Sequence, residues 1–247
     1  GGLPDLQARR LRFIGHPEDR IREDYLRILR FFRFQAWYGR DGIDAEGLAA
    51  CAALADGLDR LSRERVGHEM RKLLAAPDPA PSVAAMAAAG VLGRILPGAA
   101  HEPLAVLVHL EAAEGVAPDW LRRLALLGGE EVADRLRLSK AEARGLAALT
   151  EAVATGAGAG ELGYRLGAGR GLDALLIRAA RGGTPLPPGT RAALEHGAGQ
   201  KFPLAAADFA DRYRGAELGA ALRAAEARWI ASGFALTRQA LLDQAGR

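Results

Sequence analysis

Apolar residues recur along this chain at helical spacing rather than with the two-residue alternation of strands. Runs of Val, Ile and Thr with period two are absent, so the pattern predicts an all-α protein. The most informative stretch is 22–34, Arg-Glu-Asp-Tyr-Leu-Arg-Ile-Leu-Arg-Phe-Phe-Arg-Phe. Ile21, Tyr25, Ile28, Leu29, Phe32 and Ala36 form one apolar face of a single helix over about residues 18–38, which Gly39 and Asp41-Gly42 should end. At about 100° per residue, Arg20, Glu23, Asp24, Arg27 and Arg30 gather on the opposite side, and Phe31 and Phe34 continue it. The second half is apolar nearly all round, which suits burial. Phe31, Phe32 and Phe34 therefore read as core rather than as a base-stacking platform.

Further helices are expected at 44–57, with Asp44 as N-cap, and from Ser62 to about Leu74, with Ser62 as cap. A short helix from a Ser82 cap to Ala89 should end at Gly90. Others fall near 101–115, 118–128, 129–136 and 139–154, then 190–196, 206–213, 216–231 and 237–245. The clearest breaks are Thr155-Gly156-Ala157-Gly158-Ala159-Gly160 and the Gly/Pro-rich run 182–189. The first reads as a linker. No Gly-Lys-Ser/Thr follows it, and Glu161 would oppose an anion, so it is no phosphate loop. No fixed-period repeat is present.

Hydrophobic content of 49% and charged content of 26% are those of a globular protein, not of a disordered chain. No run of 18 apolar residues exists, so no membrane span is expected, and no secretory pattern opens the chain; the expected location is cytoplasmic. The single cysteine, Cys51, excludes an internal disulfide and reads as a small helix-face residue. The five histidines are scattered, and His68-Glu69-Met70 does not make a zinc motif, so no metal site is expected on this chain. Nine arginines crowd the first forty residues, a bias that a GC-rich genome explains as well as phosphate binding does.

The charged side of the 22–34 helix admits two readings. Glu23 and Arg27 are an i, i+4 pair in the favourable order, worth about 0.2–0.5 kcal/mol as an exposed pair. On spacing alone a solvated pair is the default. Alternatively, a carboxylate and a guanidinium at i, i+3 present an acceptor beside a forked donor, which matches the edge of a nucleobase.

A resemblance favours the second reading. Glu23-Asp24-x-x-Arg27, followed by Arg30 and Arg33, resembles the E-D-x-x-R nucleotide-recognition motif of the bacterial-type (class II) tRNA nucleotidyltransferase and poly(A) polymerase family. Leu11-Arg12-Phe13-Ile14-Gly15-His16-Pro17 is similar to that family's lead-in to the motif. Leu61-Ser62-Arg63-Glu64-Arg65-Val66 with Glu69-Met70-x-x-Leu73-Leu74 is similar to the segment that packs against it. Weaker matches continue in the family's order: Leu136-Arg137-Leu138-Ser139-Lys140, Phe202-Pro203-Leu204, Leu218-Gly219, Glu226-x-x-Trp229-Ile230 and Phe234-x-Leu236-Thr237. The family's palm, with its Gly-Ser loop, Asp-x-Asp metal pair and Arg-Arg-Asp element, is not found in this sequence. The opening Gly1-Gly2-Leu3-Pro4-Asp5-Leu6 resembles the segment just C-terminal to that palm.

The resemblance implies an elongated array of helices: a neck over 1–97 carrying the recognition motif, a helical body over 98–181 and a helical tail over 182–247. It implies that Asp24 and Arg27 read cytosine or adenine, that Glu23 orients a neighbouring arginine, and that Arg30 meets the triphosphate or braces Asp24. Arg33 reads as neck packing, and Glu64 and Arg65 would hold the motif arginines in place. The implied partners are tRNA, CTP and ATP, with tail residues such as Lys201, Arg212, Arg214, Arg223, Arg228 and Arg238 near the RNA backbone; no oligomeric state is implied. The implied function is the base-selecting and tRNA-binding portion of an enzyme that adds CCA to tRNA 3′ ends. Its Mg²⁺ would sit on the palm, where two ions could clamp the attacking and leaving oxygens. The chain by itself is expected to be inactive, with no catalytic residue of its own. A poly(A) polymerase portion and a non-catalytic helical RNA-binding module remain the alternatives.

Overall fold

The computed structural model describes residues 2–40 and 42–244; Asp41, one of the expected helix stops, and Gly1 and Ala245 lie outside the described residues. Among them every regular element is a helix. The described chain falls into two compact units. One comprises the residues up to Val153 together with Leu176–Pro185; the other comprises Ala154–Leu175 together with the residues from Leu186 onward. No described helix is long and apolar enough to cross a membrane.

The first unit opens with α1 (Gly2–Gln7) and an extended segment. The expected single helix over 18–38 is two: α2 (Pro17–Glu23) and α3 (Leu26–Tyr38). Asp24 breaks it. Its backbone is extended (φ −156°, ψ 107°), its Oδ1 accepts a hydrogen bond from Leu26 N at 3.1 Å and its carbonyl accepts one from Arg27 N at 3.0 Å. This aspartate caps α3, the role its short acceptor side chain favours over a place in mid-helix. The apolar face expected from the sequence survives the break: Ile21, Ile28, Leu29 and Phe32 are almost wholly buried. Tyr25 lies at the break, with its ring flat against Gly57, where a Cβ would collide with it.

Asp44 caps α4 (Ala45–Ala53) through Gly47 N at 2.9 Å, and a 3₁₀ segment, Ala55–Arg60, replaces the end of the expected 44–57 helix. Ser62 caps α5 (Arg63–Leu74), accepting from Arg65 N at 3.4 Å, as the sequence indicates. Ser82 does not cap its helix. α6 (Ala80–Ala88) starts earlier, at a turn where Asp78 Oδ1 accepts from Ala80 N, and Ser82 is buried inside it. Gly90 (φ 72°) ends this run and opens α7 (Val91–Ile95). α8 (Leu104–Ala113), α9 (Trp120–Leu127), α10 (Val132–Arg135) and α11 (Lys140–Ala154) come next, with α3 packed on α5 and α6, and α5 on α9.

Between α8 and α9 lies a buried ion cluster. Glu111 of α8 accepts from Arg122 Nε at 2.8 Å through one oxygen, and from Arg123 Nη2 at 2.7 Å through the other. Arg123 also donates to the carbonyls of Leu74 and Ala76 at 2.6 and 2.5 Å, which ties α9 to the C-terminal end of α5. The Leu74 carbonyl is one of the orphan acceptors that a helix end leaves, and that of Ala76 lies just past the cap.

α12 (Ala159–Gly182) fills a stretch where no helix is expected from the sequence, and bends at Gly167 (φ 78°, ψ 161°). The second unit continues with α13 (Thr190–Ala198), α14 (Gly215–Ala231) and α15 (Arg238–Gln244). Its core gathers Leu204, Phe209, Ala225, Trp229 and Leu241 under a rim that includes Tyr164, Phe202 and Phe234. α12 and α13 meet closely at glycines: a Cβ on Gly163 would strike the Leu194 carbonyl, and one on Gly197 the Gly160 carbonyl.

Candidate functional site

The charged side of α2 and α3 faces an open cleft of about 280 Å³. Arg20, Arg27, Arg30, Phe31 and Phe34 form one wall, the side that helical periodicity assigns them. The extended segment Leu11, Arg12, Phe13 and Ile14 forms the other, with the Phe13 and Phe31 rings stacked at 5.2 Å. Four guanidiniums over an aromatic and aliphatic floor suit a flat heterocycle that carries an anionic tail.

The acids of the motif are divided. Glu23 belongs to this edge. Its Oε1 accepts from Arg20 Nη1 at 2.7 Å and its Oε2 from Arg27 Nη1 at 2.6 Å. The hydrogen bond from Arg27 holds its carboxyl below the usual carboxylate range. Arg27 Nη1 also donates to the Arg20 carbonyl at 2.8 Å, so it staples α3 to the end of α2. Glu23 thus bridges two arginines, one on α2 and one on α3.

Asp24 is elsewhere. Because the helix breaks there, Asp24 and Arg27 are not paired on one helical face as the sequence suggests. Asp24 is absent from the lining of this cleft, and both of its oxygens take Arg65 Nη2, at 3.1 and 2.9 Å. Its side chain is 27% exposed and that of Arg65 47%, so the pair stands at the surface. Arg65 therefore holds a motif carboxylate, not a motif arginine as expected. Glu64 points to neither: its partner is Arg137 at 3.3 Å, and both are exposed.

Arg33 packs as expected. Its Nε donates to Glu69 at 2.6 Å and its guanidinium lies 4.1 Å above the Phe34 ring. Arg30 sits 3.7 Å from the same glutamate and lines the cleft. Phe31 and Phe32 are buried; Phe34 is half-buried and shared between packing and cleft.

Two contributors went unnoticed as site residues in the sequence: Arg12, in the opposite wall, and Glu69, behind Arg30. A signal for Glu69 existed. It shares the apolar side of α5 with Val66, Met70 and Leu73, and an acid in a buried register requires a cation. Among the described residues, no three His, Cys, Asp or Glu side chains approach closely enough to hold a metal ion. The carboxylates that meet the cleft arginines, Glu23 and Glu69, are both committed to guanidiniums, so these residues do not fit Mg²⁺.

Residues 42–102 match the family described as the probable RNA and SrmB-binding site of polymerase A. The human mitochondrial CCA tRNA nucleotidyltransferase 1 is 47% identical over 78 residues, which is 30% of this chain and 17% of that protein. The multifunctional CCA protein of Halorhodospira halophila is 36% identical over 146 residues, 51% of this chain and 34% of that protein. The chain thus spans about a sixth to a third of these relatives. Among solved structures, a CCA-adding enzyme in complex with CTP superposes with a TM-score of 0.64 at 18% identity, over 99% of this chain and 64% of the other. The Thermotoga maritima CCA-adding enzyme complexed with tRNA gives 0.62 at 18% identity, over 99% and 65%. In sequence over part of its length, and in fold over nearly all of it, the chain is similar to part of the CCA-adding enzymes.

Proposed function

We propose that this chain is the base-selecting and tRNA-binding portion of a tRNA nucleotidyltransferase that adds CCA to tRNA 3′ ends from CTP and ATP. The observation that carries the reading is the arginine-walled, aromatic-floored cleft with an acid-and-guanidinium motif at its edge. The shared fold supports it.

In this reading Arg27, in the cleft wall, donates to the ring nitrogen of cytosine or adenine, and Asp24 accepts from the exocyclic amine only once the nucleotide draws its carboxylate from Arg65 towards the cleft edge. Arg65 holds Asp24 and Glu23 holds Arg27 before the nucleotide arrives, and Arg30 faces its phosphates. Uracil and guanine present the reverse pattern and leave groups unpaired, at about 1–3 kcal/mol each. Exposed cations of the second unit, among them Lys201, Arg214 and Arg223, would track the tRNA backbone. The transfer step and its metal ions belong outside these residues, so this chain alone transfers no nucleotide. A poly(A) polymerase portion is the second reading, favoured by the description of the matching family.

Equilibrium binding of the four nucleoside triphosphates to the purified chain tests the first reading, with ATP as the arbiter between the two. CTP and ATP should both bind about tenfold more tightly than UTP and GTP, the equivalent of about 1.4 kcal/mol. A preference for ATP alone favours the poly(A) reading, and equal binding of all four removes base selection altogether. With tRNA, affinity should fall as salt rises, because phosphate contacts release counterions.

A further inference from the structure

Glu69 reaches the cleft from behind. It stands on α5, is 4% exposed, and serves two arginines of α3. Oε2 takes Arg33 Nε at 2.6 Å, and Oε1 lies 3.7 Å from Arg30 Nε. Arg33 is committed twice over, to this carboxylate and to the face of Phe34. Arg30 is 45% exposed and lines the cleft. One carboxylate between two guanidiniums leaves the trio a net positive charge, and the exposed member is Arg30. A planar guanidinium binds an anion well only when its fork is already aimed, since ordering a free arginine costs rotamer entropy.

We infer that Glu69 is a positioning residue that aims Arg30 at the phosphate chain of a nucleoside triphosphate seated in the cleft. This rests on the nucleotide reading above and assigns a role to a carboxylate that touches no ligand. Its sign separates it from simple electrostatics. A negative charge behind an anion site repels the anion, so neutralising Glu69 should tighten phosphate binding if charge alone counted. If Glu69 aims Arg30, neutralising it weakens binding.

The test is isothermal titration of the chain with CTP, inorganic tripolyphosphate and cytidine, on variants shown by circular dichroism to be folded. Glu69→Gln should weaken CTP and tripolyphosphate about fivefold and leave cytidine unchanged. In an Arg30→Ala background the same change should have no further effect. Glu69→Asp keeps the charge but withdraws the carboxylate by one methylene. It should also weaken tripolyphosphate, and it serves as the deciding variant if Glu69→Gln does not fold. A wild-type chain that binds neither CTP nor tripolyphosphate refutes the nucleotide reading itself. A wild-type chain that binds them, with variants that bind as tightly or more tightly, overturns the positioning role alone. So does an equal loss for cytidine, or a loss that persists without Arg30.

Discussion

Replacing Glu111 by glutamine should lower the melting temperature of the first unit by about 6–20 °C. The carboxylate takes Arg122 Nε at 2.8 Å, and Arg123 Nη2 and Nε at 2.7 and 3.1 Å, and all three side chains are 3% exposed or less. Glutamine keeps the shape but removes the negative charge that both arginines share, and turns an acceptor into a donor that faces a guanidinium. Removing one partner of a buried ion pair costs about 3–5 kcal/mol, because the remaining charge is stranded in a poorly solvated site. For a unit of this size each kcal/mol is worth about 2–4 °C, which gives that range. The lower half is favoured, because Arg122 keeps the Ala117 carbonyl at 2.6 Å and Arg123 keeps those of Leu74 and Ala76. Those last bonds also tie the cluster to the end of α5, the helix that carries Arg65 and Glu69. Melting followed by circular dichroism at 222 nm, with urea denaturation for the free energy, measures the effect. A drop of less than about 3 °C would refute the reasoning, since it would mean that water or relaxation repairs the cluster at little cost.

The second unit supplies two more outcomes. Burial, with the hydrogen bond to Glu226 at 2.7 Å, pushes the Tyr164 hydroxyl up to about 12. An acid whose ionisation is delayed in the folded state stabilises that state fully below its unfolded value, near pH 10, and the contribution is lost as pH rises through 12. Absorbance at 295 nm should therefore show a late tyrosinate step that Tyr164→Phe abolishes; a variant that retains the step disproves the assignment. Gly197→Ala should destabilise by about 1–3 kcal/mol, because its new methyl meets the Gly160 carbonyl where α12 and α13 cross. Urea midpoints measure it, and an unchanged midpoint would mean that the crossing can open freely.

The sequence by itself determined the all-helical class, because spacing of about 3.6 residues persists where alternation does not. It also determined the caps whose signal is local, at Asp44 and Ser62, and the apolar face of Ile21, Ile28, Leu29 and Phe32. It singled out the arginine side of α3 that lines the cleft, because a helical face is a property of spacing alone. The tertiary structure decided what spacing leaves open. Periodicity runs through residue 24 unbroken, so only the hydrogen bonds of Asp24 to Leu26 and Arg65 reveal that it caps a new helix instead of sharing a face with Arg27. Arg65 and Glu64 are neighbours in sequence, yet one meets the motif and the other meets Arg137, because they leave α5 about 100° apart. α12 was hidden between two glycine-rich runs, and its glycines make sense only beside the α13 backbone they approach. The partners of Glu69 lie 36 and 39 residues away, and those of Glu111 only 11 and 12, but both acids required a cation from the moment they occupied apolar registers. Local sequence fixes which side chains share a face, whereas the choice of charge partner is made across helices, by whichever buried group would otherwise be left unpaired.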